Sequence, residues 1–399
     1  MSQSYIVWAR RTPMGKLTGS LASVRTDDLL SLVFEDFKKW APFDLKEIDD
    51  VVVGCANQAG EDNRNVGRMG VILAGFPFEV PAATVNRLCG SSLEALTDAF
   101  AKIEAKIADC VLVGGVESMS RGPYVLSKAE SEFDRGQKMY DSSFGWRFQN
   151  PKMAALFPLM GMGETAEEVA TLHNISREDQ DRFAMNSHQK AAAAYQRNLF
   201  QDELIPVKVQ KGKESLLITR DECVREDSSF EKLQKLKPVF RPNGSVTAGN
   251  SSPMNDGASG VLVVSEKFLK QHNLKPLLKI TGAASRGLHP NVMGLGPVVA
   301  TQTLCQRYGM SAGQFDVVEL NEAFAAQSLA CMRELKLDPE KVNIRGGAIA
   351  LGHPLGCSGA RLVTTLAHIM KQDAKLKRGL ASMCVGVGQG ISLAVENCL

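Results

Sequence analysis

Four short segments combine a reactive side chain with glycines and other small residues. Val85-Asn86-Arg87-Leu88-Cys89-Gly90-Ser91-Ser92 puts a thiol where a strand gives way to a helix. Free N–H groups and the positive end of the helix dipole at such a point favour thiolate, lowering the pKa from its reference of ~8.5. On this reading Cys89 is a nucleophile, with a buried core cysteine as the equally weighted alternative. The glycine-rich run Gly346-Gly347-Ala348-Ile349-Ala350-Leu351-Gly352-His353-Pro354-Leu355-Gly356 ends just before a helix. His353 there is a base or hydrogen-bond donor beside a nucleophile, or a turn residue that caps its neighbour. Met383-Cys384-Val385-Gly386-Val387-Gly388-Gln389-Gly390 sets a second thiol at a strand end. Its G-x-G-x-G pattern is not the G-x-G-x-x-G of a dinucleotide site, and no helix opens after it. The amides freed by those glycines suit an oxyanion instead. In Glu319-Leu320-Asn321-Glu322-Ala323-Phe324-Ala325, Asn321 is placed as an N-cap, and its amide is also able to hold a water or a substrate oxygen. One cysteine then serves as nucleophile and the other as a proton shuttle near working pH.

These groups need elements to carry them. Residues 26–40 read as a helix, opened by a Thr-Asp-Asp cap and bearing Leu29, Leu30, Val33 and Phe37 on one face. Leu93, Leu96, Phe100, Ile103 and Ile107 give the helix after Cys89 one apolar stripe. Residues 50–53, 82–86 and 110–114 are apolar strands, and their burial on both faces predicts a mostly parallel sheet between helices. From about Ser118 to Gly249 the rhythm breaks into a helical and loop insertion, with a helix over 176–195 capped by Ser176. The last third repeats the order of the first: QFDVVE at 314–319 resembles EIDDVV at 47–52, and Gly356-Cys357-Ser358-Gly359 opens a helix as Cys89-Gly90-Ser91-Ser92 does. This order predicts an internal duplication of one α/β unit.

Composition narrows the partners. Lys plus Arg is 46 against 44 Asp plus Glu, a net charge of +2, which offers no electrostatic case for nucleic acid or an anionic membrane. Nine cysteines without C-x-x-C spacing, and only six histidines, point to reduced thiols and no metal site. No apolar run approaches the ~18–20 residues that span a bilayer, and no secretory or peroxisomal signal is present, so the expected location is the cytoplasm.

Taken together, the four segments resemble the thiolase family, with VTAGNSSPMNDGA at 246–258 similar to its segment near bound pantetheine. The resemblance runs from Arg10-Arg11-Thr12-Pro13 to the last strand. Related condensing enzymes share the fold but lack the second cysteine in CxGxGxG. The resemblance implies an α/β, layered αβαβα thiolase fold of two similar halves. Their expected extents are 1–118, completed by about 254–275, and 276–399, with a loop domain over 119–253. It implies a homodimer or homotetramer, CoA as substrate, and no metal or other cofactor. The reaction implied is thiolytic cleavage of a 3-oxoacyl-CoA to acetyl-CoA and a shortened acyl-CoA, with ping-pong kinetics. Cys89 would be the acylated nucleophile, His353 its activator, and Cys384 the acid/base. Asn321 would position a water in one oxyanion site, and the N–H groups of Cys89 and Gly386 would form another. Ser252, Met162 and Arg225 would bind substrate, Ser252 near pantetheine and Arg225 near the CoA nucleotide.

The segments at 54–69 and 139–151 look closest to 3-oxoadipyl-CoA thiolases of aromatic-compound breakdown. A dicarboxylic acyl chain calls for a cation, which Arg64, Arg68 or Arg147 could supply; interface or structural ion pairs are the alternative. Gly161 stands where acetoacetyl-CoA thiolases tend to have His, leaving room for a longer acyl group. A general fatty-acid β-oxidation thiolase or an acetyl-CoA acetyltransferase is the second reading. A Cys–His–Asn hydrolase leaves Cys384 unexplained, and an inactive CoA-binding scaffold leaves all four groups unexplained.

Overall fold

The computed structural model describes residues 3–398, apart from the side chain of Lys211. One ten-stranded sheet runs in the order Val317–Leu320, Arg378–Val385, Gln389–Asn397, Leu278–Gly287, Ser4–Arg11, Asn255–Ser265, Cys110–Ser118, Asp50–Gly54, Ala82–Val85, with the short Gly15–Lys16 pairing Asn255–Ser265. The sheet is mixed, which corrects the parallel expectation. Asp50–Gly54 is parallel to both Ala82–Val85 and Cys110–Ser118, and Val317–Leu320 is parallel to Arg378–Val385; the other pairs are antiparallel. Unbroken apolar runs report helices on both faces, whereas strand direction is set by the connection. Arg378–Val385 turns straight back into Gln389–Asn397, and Cys110–Ser118 meets Asn255–Ser265 only after the excursion through 119–254.

Helices cover the sheet in three layers. Thr26–Trp40 lies on one outer face, its Leu29, Leu30, Val33, Phe34 and Phe37 packed with Trp8, Val51, Val53 and Leu112. Each such side chain stabilises the fold by about 1.5–3 kcal/mol. Arg25 rather than Thr26 is its N-cap, without a side-chain bond; Asp27 and Asp28 sit in the first turn, where the dipole favours acids. Ser91–Glu104 and Leu355–Gln372 form the central layer. Leu93, Leu96 and Ile103 meet Leu362, Val363 and Leu366 between Val52 and Val113 on one side and Met383 and Leu393 on the other. Ile107 falls past the end of its helix and is 73% exposed, because the chain turns at Lys106 (φ +58°) to re-enter the sheet. Gly296–Tyr308 and Ala325–Leu335 cover the far face, with Leu304, Cys331, Met332 and Leu335 against Val318, Leu320 and Leu380. The result is αβαβα.

The insertion is fastened to the first strand by a buried charge cluster. Arg11 donates to Glu203 at 2.6 Å and to Asp221 at 2.7 and 2.9 Å, all of them buried. Removing one partner of such a cluster costs about 3–5 kcal/mol. The expected helix near 176–195 is Arg177–Gln196, capped by Ser176 Oγ accepting from Asp179 N. Among the described residues no helix is long and apolar enough to cross a membrane.

Candidate active site

Cys89 lies in the 3-10 turn Leu88–Gly90, between Ala82–Val85 and the helix Ser91–Glu104. Leu88 is held left-handed (φ +47°), a strained conformation for a branched side chain. Asn86 Oδ1 accepts from Leu88 N at 2.8 Å and Ser91 Oγ donates to Leu88 O at 2.6 Å, which pins the turn. A side chain on Gly90 would stand 2.8 Å from Val385 Cγ2, so only glycine lets this turn press against the strand carrying Cys384. The main-chain N–H groups of Gly386 and of Cys89 itself pull the Cys89 pKa down. Burial nevertheless outweighs them and pushes the thiol up to about 11, a correction to the expected lowering. A thiol of this kind needs a base at the moment of attack.

His353 follows Gly352, whose φ of +116° and close packing on Asn255 exclude a side chain. Its N–H is held by Asn255 Oδ1 at 2.9 Å. Its Nδ1 lies 2.6 Å from Ser358 Oγ, and Ser358 Oγ donates to Pro354 O at 3.0 Å. With the serine proton committed to Pro354, Nδ1–H is the donor and Nε2 carries the lone pair. Burial, then the charge of Arg361, lowers His353 to about 3, so the ring is neutral and Nε2 is an acceptor. Asn321 Nδ2 is 3.4 Å from that nitrogen, while the buried Asn321 Oδ1 has no partner among the described residues.

Asn321 is not an N-cap. The helix after it starts at Ala325 with Phe324 as cap, because the intervening chain stays extended: Phe324 bridges Ser251 and Ala325 N donates to Asn250 O. Glu322 anchors this stretch by accepting from Ser187 Oγ, Asn343 Nδ2 and Ile349 N.

Cys384 is 2% exposed, in an apolar cluster with Val246, Met293, Ala323, Phe324, Met162 and Phe240. Burial raises its pKa, and the charge of Cys89 raises it further, so the two sulfurs from opposite ends of the chain share one site. Met162 opens the helix Met162–Leu172, its sulfur 3.8 Å from where a Gly386 side chain would start. Ser252 is at the same wall, its N–H on Ala323 O at 3.0 Å. Arg225 is exposed and further out. It is two residues from Cys223, which accepts from Asn255, the residue that holds His353.

Residues not singled out from the sequence support this constellation. Ser358 lies in the first turn of the helix Leu355–Gln372, five residues after His353. Glu117, at the end of Cys110–Ser118, accepts from Ala56 N, Asn57 N and Gly356 N, so it joins the nucleophile's half to the helix that follows His353. Cys55, Asp62 and Glu117 bring ligand atoms within 4.8 Å of one another. Their carboxylates, however, are taken by main-chain N–H groups of Ala56, Asn57, Gly356, Gln58 and Gly60, the signature of a structural knot. The three candidate arginines separate. Arg68 is spent on the carbonyls of Phe78 and Val80, Arg64 is exposed at φ +59°, and Arg147 is half-buried against Ser142 and Asn57.

An αβαβα layering with two thiols, a neutral imidazole and two converging amides defines an enzyme of acyl transfer. The chain belongs to the thiolase family: the thiolase N-terminal domain matches residues 4–267 and the C-terminal domain residues 274–397. It is 51% identical over 400 residues to a beta-ketoadipyl-CoA thiolase of Acinetobacter baylyi, covering 99% of this chain and 100% of that protein. It is 48% identical over 401 residues to the 3-oxoadipyl-CoA/3-oxo-5,6-dehydrosuberyl-CoA thiolase of Escherichia coli, covering 99% and 100%. Among solved structures, the Bacillus anthracis acetyl-CoA acetyltransferase superposes with a TM-score of 0.93 at 35% identity, covering 100% of this chain and 99% of that one.

Proposed function

We propose that this thiolase cleaves a 3-oxoacyl-CoA whose acyl chain ends in a carboxylate, 3-oxoadipyl-CoA being the best fit. The observations that support the chemistry are the mutual influence of the Cys89 and Cys384 sulfurs and the neutral His353 beside Asn321. Cys89 Sγ attacks the C3 carbonyl while His353 takes its proton. The amides of Cys89 and Gly386 hold the oxygen of the resulting adduct, and one lost donor of this kind costs about 2.7–4 kcal/mol. The C2–C3 bond then breaks, its electron pair leaving as an acetyl-CoA enolate. His353 and Asn321 stabilise that oxygen, and Cys384 protonates the carbon. Incoming CoA thiol returns a proton to Cys384 and attacks the acyl-enzyme; the bond to Cys89 breaks, the shortened acyl-CoA leaves, and the Cys89 thiolate recovers its proton from His353. Only protons and an acyl group move, so CoA is the one co-substrate required.

The dicarboxylic substrate is supported by relatives at 48–51% identity that are named as beta-ketoadipyl-CoA and 3-oxoadipyl-CoA thiolases. A homodimer or homotetramer fits the apolar hairpin that exposes Tyr124, Leu126 and Met139, and the edge strand Ala82–Val85. A cytoplasmic location fits nine cysteines that are all unpaired. The test is CoA-dependent cleavage of acetoacetyl-, 3-oxohexanoyl-, 3-oxodecanoyl- and 3-oxoadipyl-CoA. Preference for the last is expected; preference for uncharged long chains would replace this reading with a general β-oxidation thiolase. Cys89→Ser should remove the acyl-enzyme mass adduct, and an unchanged adduct would reassign the nucleophile.

A further inference from the structure

We infer that Arg147 receives the distal carboxylate of the acyl chain; this rests on the dicarboxylic reading above. Its guanidinium is half-buried, yet every acceptor it meets is neutral: Ser142 O at 2.6 Å, Asn57 Oδ1 at 3.1 Å and Asn57 O at 3.4 Å. Among the described residues no carboxylate lies within ion-pair distance of it, and its Nε makes no hydrogen bond. Withdrawing a cation from water without a counter-charge is costly, and an arginine fork is shaped to take a carboxylate through two N–H groups.

Its place fits that task. On one side Arg147 is tied to Asn57, whose neighbour Ala56 accepts from the Asn86 side chain that pins the Cys89 turn. On the other side Trp146 Nε1 donates to Met160 O at 2.9 Å, two residues before Met162 reaches the Gly386 wall. Arg147 is therefore linked through Asn57 to the segment that meets the nucleophile's loop, and through its neighbour Trp146 to the segment that leads into Met162. That wall, built by Met162, Met293, Phe240 and Phe324, offers an acyl chain apolar contact. A terminal carboxylate has to be met at the rim. Arg87, next to the turn in the chain, is already spent on Glu94 and Gln389.

The test compares kcat/KM on 3-oxoadipyl-CoA and 3-oxohexanoyl-CoA, which have equal chain length and differ in the terminal charge. The readout is the ratio of the two values in the full-length enzyme. Arg147→Met should lower that ratio at least about 30-fold, mainly through KM, Arg147→Lys should restore part of it, and Arg64→Met should leave it in place. A ratio kept by Arg147→Met, or equal losses on both substrates, would overturn the assignment, and a fall confined to Arg64→Met would move it there. If wild-type enzyme shows no preference for 3-oxoadipyl-CoA, the substrate reading itself fails, a result distinct from the others.

Discussion

The two halves of the molecule are built alike and used differently. In the first, the strands lie in the order Ser4–Arg11, Asn255–Ser265, Cys110–Ser118, Asp50–Gly54, Ala82–Val85; in the second, Leu278–Gly287, Gln389–Asn397, Arg378–Val385, Val317–Leu320, with a bridge at Val342 where a fifth strand would be. Asp49 accepts from the amides of Asp109 and Cys110 just as Asp316 accepts from those of Lys377 and Arg378. This sets the register between the halves: Gly54 matches Asn321, Val116 matches Cys384, and Glu117 matches Val385. The divergence follows Cys110–Ser118 and its match Arg378–Val385. The second half turns back at once through Gly386, Val387 and Gly388, which leaves the Gly386 amide beside Cys89, where it lowers the thiol pKa. The first half leaves through 119–254, which supplies the pocket wall, and keeps a buried carboxylate where the strand ends. Duplication provided two equal sets of strand ends; the connection after one strand decided which set does proton chemistry.

The sharpest way to break that comparison is to exchange matched positions. Cys384→Ala should lower kcat about 10²–10⁴-fold, because enolate and incoming thiol both lose their proton partner. Val116→Ala removes two methyls at the matched position, buried to the same degree. It should cost about 1–3 kcal/mol of stability and leave kcat within about threefold. Steady-state kinetics and urea unfolding on both variants decide it. Comparable kcat losses would mean that both strand ends serve the reaction.

Glu117 gives an intermediate effect. Burial raises its pKa to about 7, while its unfolded-state value is the ordinary 4.5. The folded state therefore binds a proton that the unfolded chain releases in this window. The stability the group contributes is complete below about 4.5 and is lost as pH rises through 7, a change of about 3 kcal/mol. Glu117→Gln should flatten stability against pH over that range. It should also lower kcat about tenfold, since the amide cannot accept from all three N–H groups and the start of the helix after His353 loosens. Unfolding free energies between pH 4.5 and 8 test the first, and an unchanged pH slope would mean that Glu117 is ionised throughout.

Much of this was legible in the sequence because the reactive residues stand at element ends. The helix Thr26–Trp40 announces itself by apolar spacing of three and four, and Cys89, His353 and Cys384 by the glycines around them. What was hidden depends on residues distant in the chain. The Cys89 pKa is decided by burial beneath the second half, not by the dipole of its own helix. Strand direction depends on connections that an apolar run does not encode. Glu117 looks like any strand-end acid until Gly356, from the other half, donates to it. Asn321 has the chemistry of a cap, but the Ser251–Phe324 bridge keeps its chain extended.

The smallest effect tests the equivalence itself. Asp49 and Asp316 each satisfy two amides at the start of Cys110–Ser118 or of Arg378–Val385, at 2.7 and 3.0 Å in one half and 2.8 and 3.0 Å in the other. Both aspartates lie near the surface and far along the strand from the reacting sulfurs. Water can partly replace the lost acceptor, so each change to Ala should cost about 1 kcal/mol and leave kcat alone. The two losses should be equal within about 0.5 kcal/mol, and the double variant should lose their sum, because distant, independent sites add. Urea unfolding of both single variants and the double measures this. A loss twice as large in one half would show that the duplicated geometry no longer carries duplicated energetics. A non-additive double would show that the two strands feel each other through the central helices Ser91–Glu104 and Leu355–Gln372.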